Sequence, residues 1–362
     1  MSSLKKISDR IKTISSTHQV TASMKVVAVS RLKKLHENFL QTGAYTLEIR
    51  RMIRRLIRSI SYRQEALAEQ GSSEIIPIPA LLKGNGKDDH YAVVVITSDD
   101  GLSGSSNMQV VQKTEEVIKY LEEQDKKITL VCFGTRGGDI LRRQYPNMRI
   151  QVVKRKMHTS AGPYLDAERM AMTLISAFGK DQFDVCLFVY NEFKSVVSQK
   201  PTIEQVIPNK LFSEKNPWQF LIDTNDADYI TRDAMGQKKI NLHKSEFLTA
   251  FGGVGMLSPL GAIDRDEILL PPTRTPDKYD YDPSDLQILE NVLPQYMVSY
   301  MCRVLLETEV ADNAARLMAM DNATRNAGEM LKGLQKQYRR TRQSKITTDL
   351  IEIVSGAMSE QS

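Results

Sequence analysis

The first 70 residues carry a helical pattern of apolar positions with almost no interruption. Apolar side chains recur at steps of 3, 4 and 3 residues, the spacing of a coiled-coil seam, at Leu4, Ile7, Ile11 and Ile14. The apolar positions that continue the pattern include Met24, Val27, Leu32, Leu35 and Phe39. Residues 3–67 contain no proline and a single glycine. We therefore predict one long amphipathic helix over residues 1–70, ended by Gly71 and the prolines that follow it.

The middle of the chain changes from a helical to a strand-like period. Short β-branched apolar runs, typical of buried strands, occupy residues 91–97, 127–134 and 183–190. Helical stretches alternate with them near residues 106–124, 136–145 and 163–179. This alternation predicts a small α/β domain of the Rossmann-like class, with a largely parallel sheet, over residues 71–210.

Two further segments complete the predicted organisation. Residues 211–283 carry turn signals such as FGGVG and LPPTRTP, which predicts a loop-rich insertion with some short strands. The helical pattern returns over residues 284–362. At about 1.5 Å per residue the terminal helices would measure on the order of 95 and 110 Å, against about 50–55 Å for a compact globule of this chain length. Helices of that length need a partner for their apolar seam, so we predict a long antiparallel coiled coil of the two.

Charge is distributed unevenly along the chain. The net charge is +5, but residues 1–70 hold 14 Lys/Arg against 5 Asp/Glu, a net of +9. Residues 211–283 hold 8 basic against 12 acidic residues, a net of −4, so the predicted insertion is acidic. The basic tracts Arg50–Arg58 and Lys336–Lys345 fit a solvated helix face, nucleic acid phosphates, an anionic membrane surface or acidic loops of a surrounding protein. Nucleic acid is the weaker choice, because Tyr338 alone interleaves with the basic residues.

The motifs of catalysis and cofactor binding are missing from the sequence. SDDGLSGSS (98–106) and GTRGGD (134–139) follow predicted strands but match neither GxGxxG nor GxxxxGKS, so we interpret both as strand-to-helix turns. The five histidines lack metal-ligand spacing, and Cys132, Cys186 and Cys302 lack CxxC spacing. There is no apolar run of 18 residues and no apolar signal core at the N-terminus. We expect an intracellular chain without a catalytic, cofactor or metal site of its own.

Both ends of the sequence carry long and specific motifs, KKISDRIKTISSTHQVTASMKVVAVSRLKKL (5–35) and AARLMAMDNATRNAGEMLKGLQKQYRRTRQSKITTDLIEIVSGA (314–357). These motifs are similar to the N-terminal and C-terminal signatures of the gamma subunit of F-type ATP synthases. TSDDGLSGSSN (97–107) and VVSQKPTIEQVIP (196–208) resemble two internal motifs. The resemblance covers about residues 1–210 and 279–362.

This resemblance implies a function and a set of partners. It implies a central rotary shaft whose coiled coil stands inside the hexamer of alpha and beta subunits, one copy per complex. Its α/β domain would meet the epsilon subunit and the membrane rotor c-ring. The shaft would couple rotation of a proton- or sodium-translocating rotor to conformational cycling of the catalytic beta subunits. It would lie peripherally on the cytoplasmic face of a bacterial inner membrane and bind no nucleic acid.

The resemblance also implies roles for particular residues. Contacts with beta-subunit loops fall on Arg342, Gln343 and Thr347, and on Met24 and Lys25 in the facing helix. An apolar bearing at the top of the shaft falls on Leu350, Ile351, Ile353 and Val354.

Four features depart from the pattern of the family. Asp100 stands where the family commonly has a basic residue, and Ser103 where it commonly has cysteine. Pro294 predicts a kink or a later start of the C-terminal helix. The stretch 211–278 is an insertion without cysteine, so the thiol switch of photosynthetic members cannot operate in it.

Overall fold

The computed structural model describes residues 3–71, 76–155, 162–209, 230–232, 238–240, 281–282 and 284–359. The chain divides into two compact units. The smaller unit consists of Met1–Arg31 and Arg316–Ser362, and the larger unit is Leu32–Ala315.

A five-stranded sheet forms the centre of the larger unit. Its strands are β1 (His90–Ile96), β2 (Lys127–Phe133), β3 (Ile150–Val153), β4 (Val185–Phe193) and β5 (Gln199–Ile207), in the spatial order β3-β2-β1-β4-β5. The first four run parallel, and β5 pairs antiparallel with β4. In the central strand, Val93 lies opposite Leu130 on one side and Leu187 on the other. All three are fully buried, as expected for a parallel sheet covered on both faces.

Four helices of the larger unit join the strands or precede them. They are α2 (Ala80–Lys83), α3 (Ser106–Glu122), α4 (Thr135–Gln144) and α5 (Gly162–Gly179). The inner face of α3 is apolar at helical spacing and packs into the core of the sheet through Val110, Val117 and Leu121. The predicted strands and helices of this region are therefore present. The structure adds β3, β5 and α2, which the sequence pattern did not predict.

The glycines of the GTRGGD turn allow helix α4 to lie close to the sheet. A Cβ on Gly134 would lie 2.1 Å from the carbonyl oxygen of Thr97, and Gly134 also has a φ of 105°. A Cβ on Gly138 would lie 2.5 Å from Cγ2 of Val152. Close packing therefore accounts for these glycines, as the interpretation of the segment as a turn requires.

Two long helices bracket this α/β core. They are α1 (Ser3–Glu69), of 67 residues, and α6 (Asp285–Ser359), of 75 residues. Pro294 lies inside α6, so the predicted later helix start is wrong. The proline removes one bond to the Glu290 carbonyl, and Glu290 is on the exposed side, where water can replace the lost donor.

Within the larger unit the two long helices also pack on each other. The hydroxyl oxygens of Thr46 and Ser299 lie 2.6 Å apart in a buried contact. Nearer the start of α6, Ser59 donates to a carboxylate oxygen of Asp285 at 3.1 Å, and Arg63 forms an ion pair with the same carboxylate.

Two short antiparallel strands, β6 (Ile230–Arg232) and β7 (Lys238–Ile240), lie in the predicted insertion, where short strands were expected. The rest of the predicted insertion lies outside the described residues.

The predicted fold class, α/β with long terminal helices, is confirmed. Long helices stand at both ends of the chain, and between them lies a mixed sheet with interspersed helices. The domain boundaries at residues 70, 210 and 283 stay predictions.

Candidate partner-contact site at the end of the coiled coil

The smaller unit is a helix pair with a seam at heptad spacing. On α1 the half-buried or buried seam positions recur at alternating steps of three and four, at Leu4, Ile7, Ile11, Ile14, His18, Thr21, Lys25 and Ala28. On α6 the corresponding positions are Leu317, Met320, Thr324, Ala327, Leu331, Leu334, Tyr338 and Thr341. This alternation is the seam of a coiled coil.

Side-chain contacts across the seam fix the direction of the two helices. The Lys25 ammonium lies 2.7 Å from a carboxylate oxygen of Asp321. One turn earlier on α1, the hydroxyl oxygen of Thr21 lies 2.9 Å from that of Thr324, one turn later on α6. Because the residue number falls on one helix as it rises on the other, the pair is antiparallel. The predicted antiparallel coiled coil is confirmed.

The pairing ends where helix α1 begins. Continued at the same register, the contact of Thr21 with Thr324 places Leu4 level with Thr341. Beyond Thr341, every described side chain of α6 from Arg342 to Val354 is exposed. We call residues 342–354 the free end. It contains seven of the nine residues that the resemblance implicates in partner contact.

The free end carries a polar and an apolar part. Arg342 and Gln343 are exposed, and the Thr347 hydroxyl donates to the Gln343 carbonyl oxygen at 3.0 Å. Four apolar side chains are between 56% and 67% exposed, and they are Leu350, Ile351, Ile353 and Val354. With Ile346, 47% exposed, they share one side of the helix, because successive residues advance by about 100°. Exposed apolar side chains grouped on one side of a helix are a common feature of interaction surfaces.

The two predicted contact residues on α1 face different ways. Met24 is 39% exposed and lies on the outer side of the helix pair. Lys25 is half-buried in the seam, where its ammonium is bound to Asp321. Val27, which the sequence pattern grouped with the apolar seam, is 51% exposed and also faces outward, whereas Leu32 and Phe39 are buried.

The sequence pattern did not single out the acidic partner of Lys25. Asp321 receives Lys25 on one oxygen and Arg325 on the other, at 3.2 Å. The available signal was the seam itself, since the steps that begin at Leu4 lead directly to Thr21 and Lys25. An acid on the facing helix stabilises a lysine that is half-buried in a seam position.

The turn after β1 is held by its own polar groups. Ser98 and Asn107 bond each other, and the Asn107 amide donates to the Ser103 hydroxyl at 3.2 Å. Asp99 accepts the backbone N–H of Thr135 at 2.8 Å and that of Arg155 at 3.0 Å. These bonds connect the carboxyl ends of β1, β2 and β3, so the loop acts as a structural junction.

Two other kinds of feature, a metal site and a membrane-spanning helix, are absent from the described residues. In those residues no group of three His, Cys, Asp or Glu side chains is arranged to hold a metal ion. No helix in the described part of the chain has the length and apolar character needed to cross a membrane.

Burial raises the pKa of the Cys302 thiol to about 11 and that of the Cys132 thiol to about 12, and it raises the pKa of the Cys186 thiol further. All three thiols are buried and free.

Comparison with known proteins places the chain in a family. A family model described as ATP synthase matches residues 3–359. The ATP synthase gamma chain of Rhodospirillum rubrum is 33% identical over 358 residues, which cover 99% of each chain. That of Pelagibacter ubique is 30% identical over 359 residues, covering 99% of this chain and 100% of the relative.

The central stalk and c-ring structure of the Tetrahymena thermophila mitochondrial ATP synthase contains a chain that matches with a TM-score of 0.49 and 18% identity, over 84% of this chain and 99% of that one. The matches to the family model and to the two bacterial relatives extend through both α1 and α6. The sequence resemblance is confirmed, and the chain belongs to the ATP synthase gamma chain family.

Proposed function

We propose that this chain is the central rotary shaft of a proton- or sodium-translocating F-type ATP synthase. The observation that carries the proposal is its membership of the gamma chain family along residues 3–359, including both helices of the coiled coil. In this role the chain couples rotation of a membrane rotor to conformational changes in surrounding catalytic subunits.

The free end supports a mechanism based on differential contact. One helix with polar residues on some sides and apolar residues on another presents a different surface to each subunit around it. A subunit whose open and closed states bind these surfaces unequally is biased toward one state, and the bias moves as the shaft turns. Arg342 and Gln343 would supply directional hydrogen bonds with angular preference. The apolar side chains from Leu350 to Val354 would supply a bearing with few directional bonds to break.

The partners follow from the same role. We propose contacts of the coiled coil with the alpha and beta subunits of the catalytic hexamer, and of the α/β domain with the epsilon subunit and the c-ring. One copy would serve each complex, on the cytoplasmic face of the membrane. The catalytic groups for ATP would then belong to the hexamer, and this chain would contribute none.

A stand-alone basic module for nucleic acid or anionic membrane was the alternative from the sequence. Its support was the pair of basic tracts, and the family match covers the helices that carry both of them. Arg54, within the first tract, has its pKa lowered to about 10, chiefly by burial and then by Arg50. That residue is partly withdrawn from solvent, which weakens the tract as a phosphate-binding surface.

Replacement of the polar contact residues tests the function. We expect Arg342→Ala with Gln343→Ala to lower the rate of coupled ATP synthesis by the assembled complex by about tenfold, because a charge-assisted hydrogen bond contributes about 1.5–3 kcal/mol. The matched control is Gln335→Ala with Lys336→Ala, which removes one amide and one basic side chain one heptad earlier, where both are exposed beside the paired seam. Full activity of the first variant, or equal loss in both, would contradict the proposed contact.

A further inference from the structure

In the middle of the coiled coil, polar side chains of α1 face α6 and large apolar side chains of α1 face outward. The seam positions of α1 there are His18, Thr21 and Lys25, followed by Ala28. The opposite helix supplies Asp321, Thr324 and a glycine, Gly328, whose Cβ position is 3.7 Å from the His18 ring. Large apolar side chains are therefore missing from the α1 side of this part of the seam, whereas the α6 side keeps Met320, which is buried.

The apolar side chains of the same stretch of α1 lie outside the seam. Val20, Met24 and Val27 recur at steps of four and three and are 49%, 39% and 51% exposed. We call these three residues the outer stripe. About a third of a helical turn separates the outer stripe from the seam positions, given about 100° per residue.

Within this middle stretch of α1, hydrophobic burial alone would favour the opposite arrangement. Turning the outer stripe into the seam would bury three large side chains, at roughly 25 cal/mol for each Å² of apolar surface removed from water. It would also expose the polar side chains of Thr21 and Lys25 to water, which hydrates them better than the seam does. Leu4, Ile7, Ile11 and Ile14 hold the seam nearer the start of α1. In the middle stretch, which lacks such residues on α1, another contact must oppose the rotation.

We propose that Lys25, Asp321 and Arg325 form a clasp that holds the seam face of α1 against α6 and keeps the outer stripe exposed. Asp321 binds Lys25 across the seam at 2.7 Å and Arg325 along its own helix at 3.2 Å. Asp321 and Lys25 are only 23% and 27% exposed, so water screens their pair less than a surface pair. Rotation of α1 would pull the ammonium away and leave the half-buried carboxylate with Arg325 alone.

The clasp gives Lys25 a role different from partner contact. Lys25 becomes a positioning residue that acts through Asp321, and the side chains it orients are those of the outer stripe. This inference concerns contacts inside the chain, so it holds or fails independently of the rotary function proposed above.

Charge reversal separates the clasp from a direct partner contact. Lys25→Glu places two acids in the seam and should release the seam face. Adding Asp321→Lys and Arg325→Glu restores both ion pairs with reversed signs and should restore the arrangement. Lys25→Arg keeps the charge and should behave like the native chain.

The position of the seam face can be read from thiol labelling of the full chain. Two single-cysteine reporters are labelled with a maleimide, Met24→Cys on the outer stripe and Ala28→Cys in the seam, where Ala28 is 1% exposed. The native cysteines are buried, so the reporters should dominate the labelling. Met24→Cys should react much faster than Ala28→Cys in the native background. We expect Lys25→Glu to reduce this rate ratio by about tenfold, and the threefold reversal to restore it.

Two results would overturn the clasp. One is an unchanged rate ratio in Lys25→Glu, and the other is a ratio that falls but does not recover in the threefold reversal. The same variants in the assembled complex address the function separately. Coupled activity that falls with Lys25→Glu and returns with the threefold reversal supports positioning as the role of Lys25 in the complex. Activity that stays low although the ratio recovers would overturn that role in the complex and leave the clasp within the chain intact.

Discussion

Arg155 lies in a short polar stretch and looks from sequence like a surface residue, but we expect it to stabilise the larger unit strongly. It follows strand β3 and is 4% exposed. Its guanidinium donates to the carbonyl oxygen of Thr97 at 3.1 Å and to that of Leu305 in α6 at 3.2 Å. It also lies 3.1 Å from a carboxylate oxygen of Glu309. One side chain thus joins β1, the end of β3 and α6.

The cost of removing Arg155 follows from these contacts. Arg155→Met keeps most of the side-chain length but leaves the buried Thr97 carbonyl without this donor, at a cost of about 1–3 kcal/mol. The Leu305 carbonyl loses its bond to Arg155 but keeps the one within α6, so its loss is smaller. Loss of one partner from a fully buried ion pair costs about 3–5 kcal/mol, but the Glu309 side chain is 23% exposed and can recover some hydration. Since these contributions overlap, we expect the free energy of unfolding of the larger unit to fall by about 3–4 kcal/mol.

Native-state hydrogen exchange of the β1 amides measures this loss. These amides are at the centre of the sheet, so they exchange only when the larger unit opens, and they do not report on the coiled coil. Lys154→Met is the matched control, because Lys154 is the adjacent basic residue and is exposed. Arg155→Lys should fall between the two, since an ammonium cannot reproduce the fork of the guanidinium. A loss in Arg155→Met no larger than in Lys154→Met would refute the reasoning.

Three further predictions concern the larger unit and use the same exchange measurement. Burial raises the pKa of Glu307 from 4.5 to about 7, so this carboxyl stays protonated to higher pH in the folded state than in the unfolded state. The stability that this group contributes is fully present below pH 4.5 and is lost as pH rises to 7. Glu307→Gln should therefore gain about 3 kcal/mol relative to wild type as pH rises from 4.5 to 7, and a pH-independent difference would contradict this. Thr46→Val should cost about 1–2 kcal/mol by leaving the buried Ser299 hydroxyl without this partner, whereas Thr46→Ser should cost less. Gly138→Ala should cost about 1–3 kcal/mol, because its Cβ would lie 2.5 Å from Val152 Cγ2, and an unchanged stability would show that α4 can move away.

The elements that sequence alone predicted well are those with a strong period. β1 and β4 are continuous apolar runs because both of their faces are covered, and α3 has a clear apolar face. β3 is only four residues long, and β5 contains Pro201 and several polar residues, so neither has a sufficient pattern. The proline is tolerated because β5 is the edge strand of the sheet.

The residues that matter most in the larger unit are harder to find from sequence. Arg155 follows Lys154 in a short polar stretch, and both look like surface residues. Its burial depends on Leu305 and Glu309, about 150 positions away in the chain. Local sequence contains no signal for such a contact, because the packing of α6 on the sheet creates it.

The coiled coil shows where two sequence signals conflict. Spacing from Leu4 assigns Thr21 and Lys25 to the seam, whereas hydrophobicity assigns Met24 and Val27 to it. In an isolated pair of helices hydrophobicity would be expected to decide, because burial is the main favourable contribution. Here spacing decides, and the exposed apolar residues that result are a cost to the chain by itself. That cost is understandable if α1 functions inside an assembly, where a partner covers its outer side, so the conflict itself points to a chain built to be surrounded.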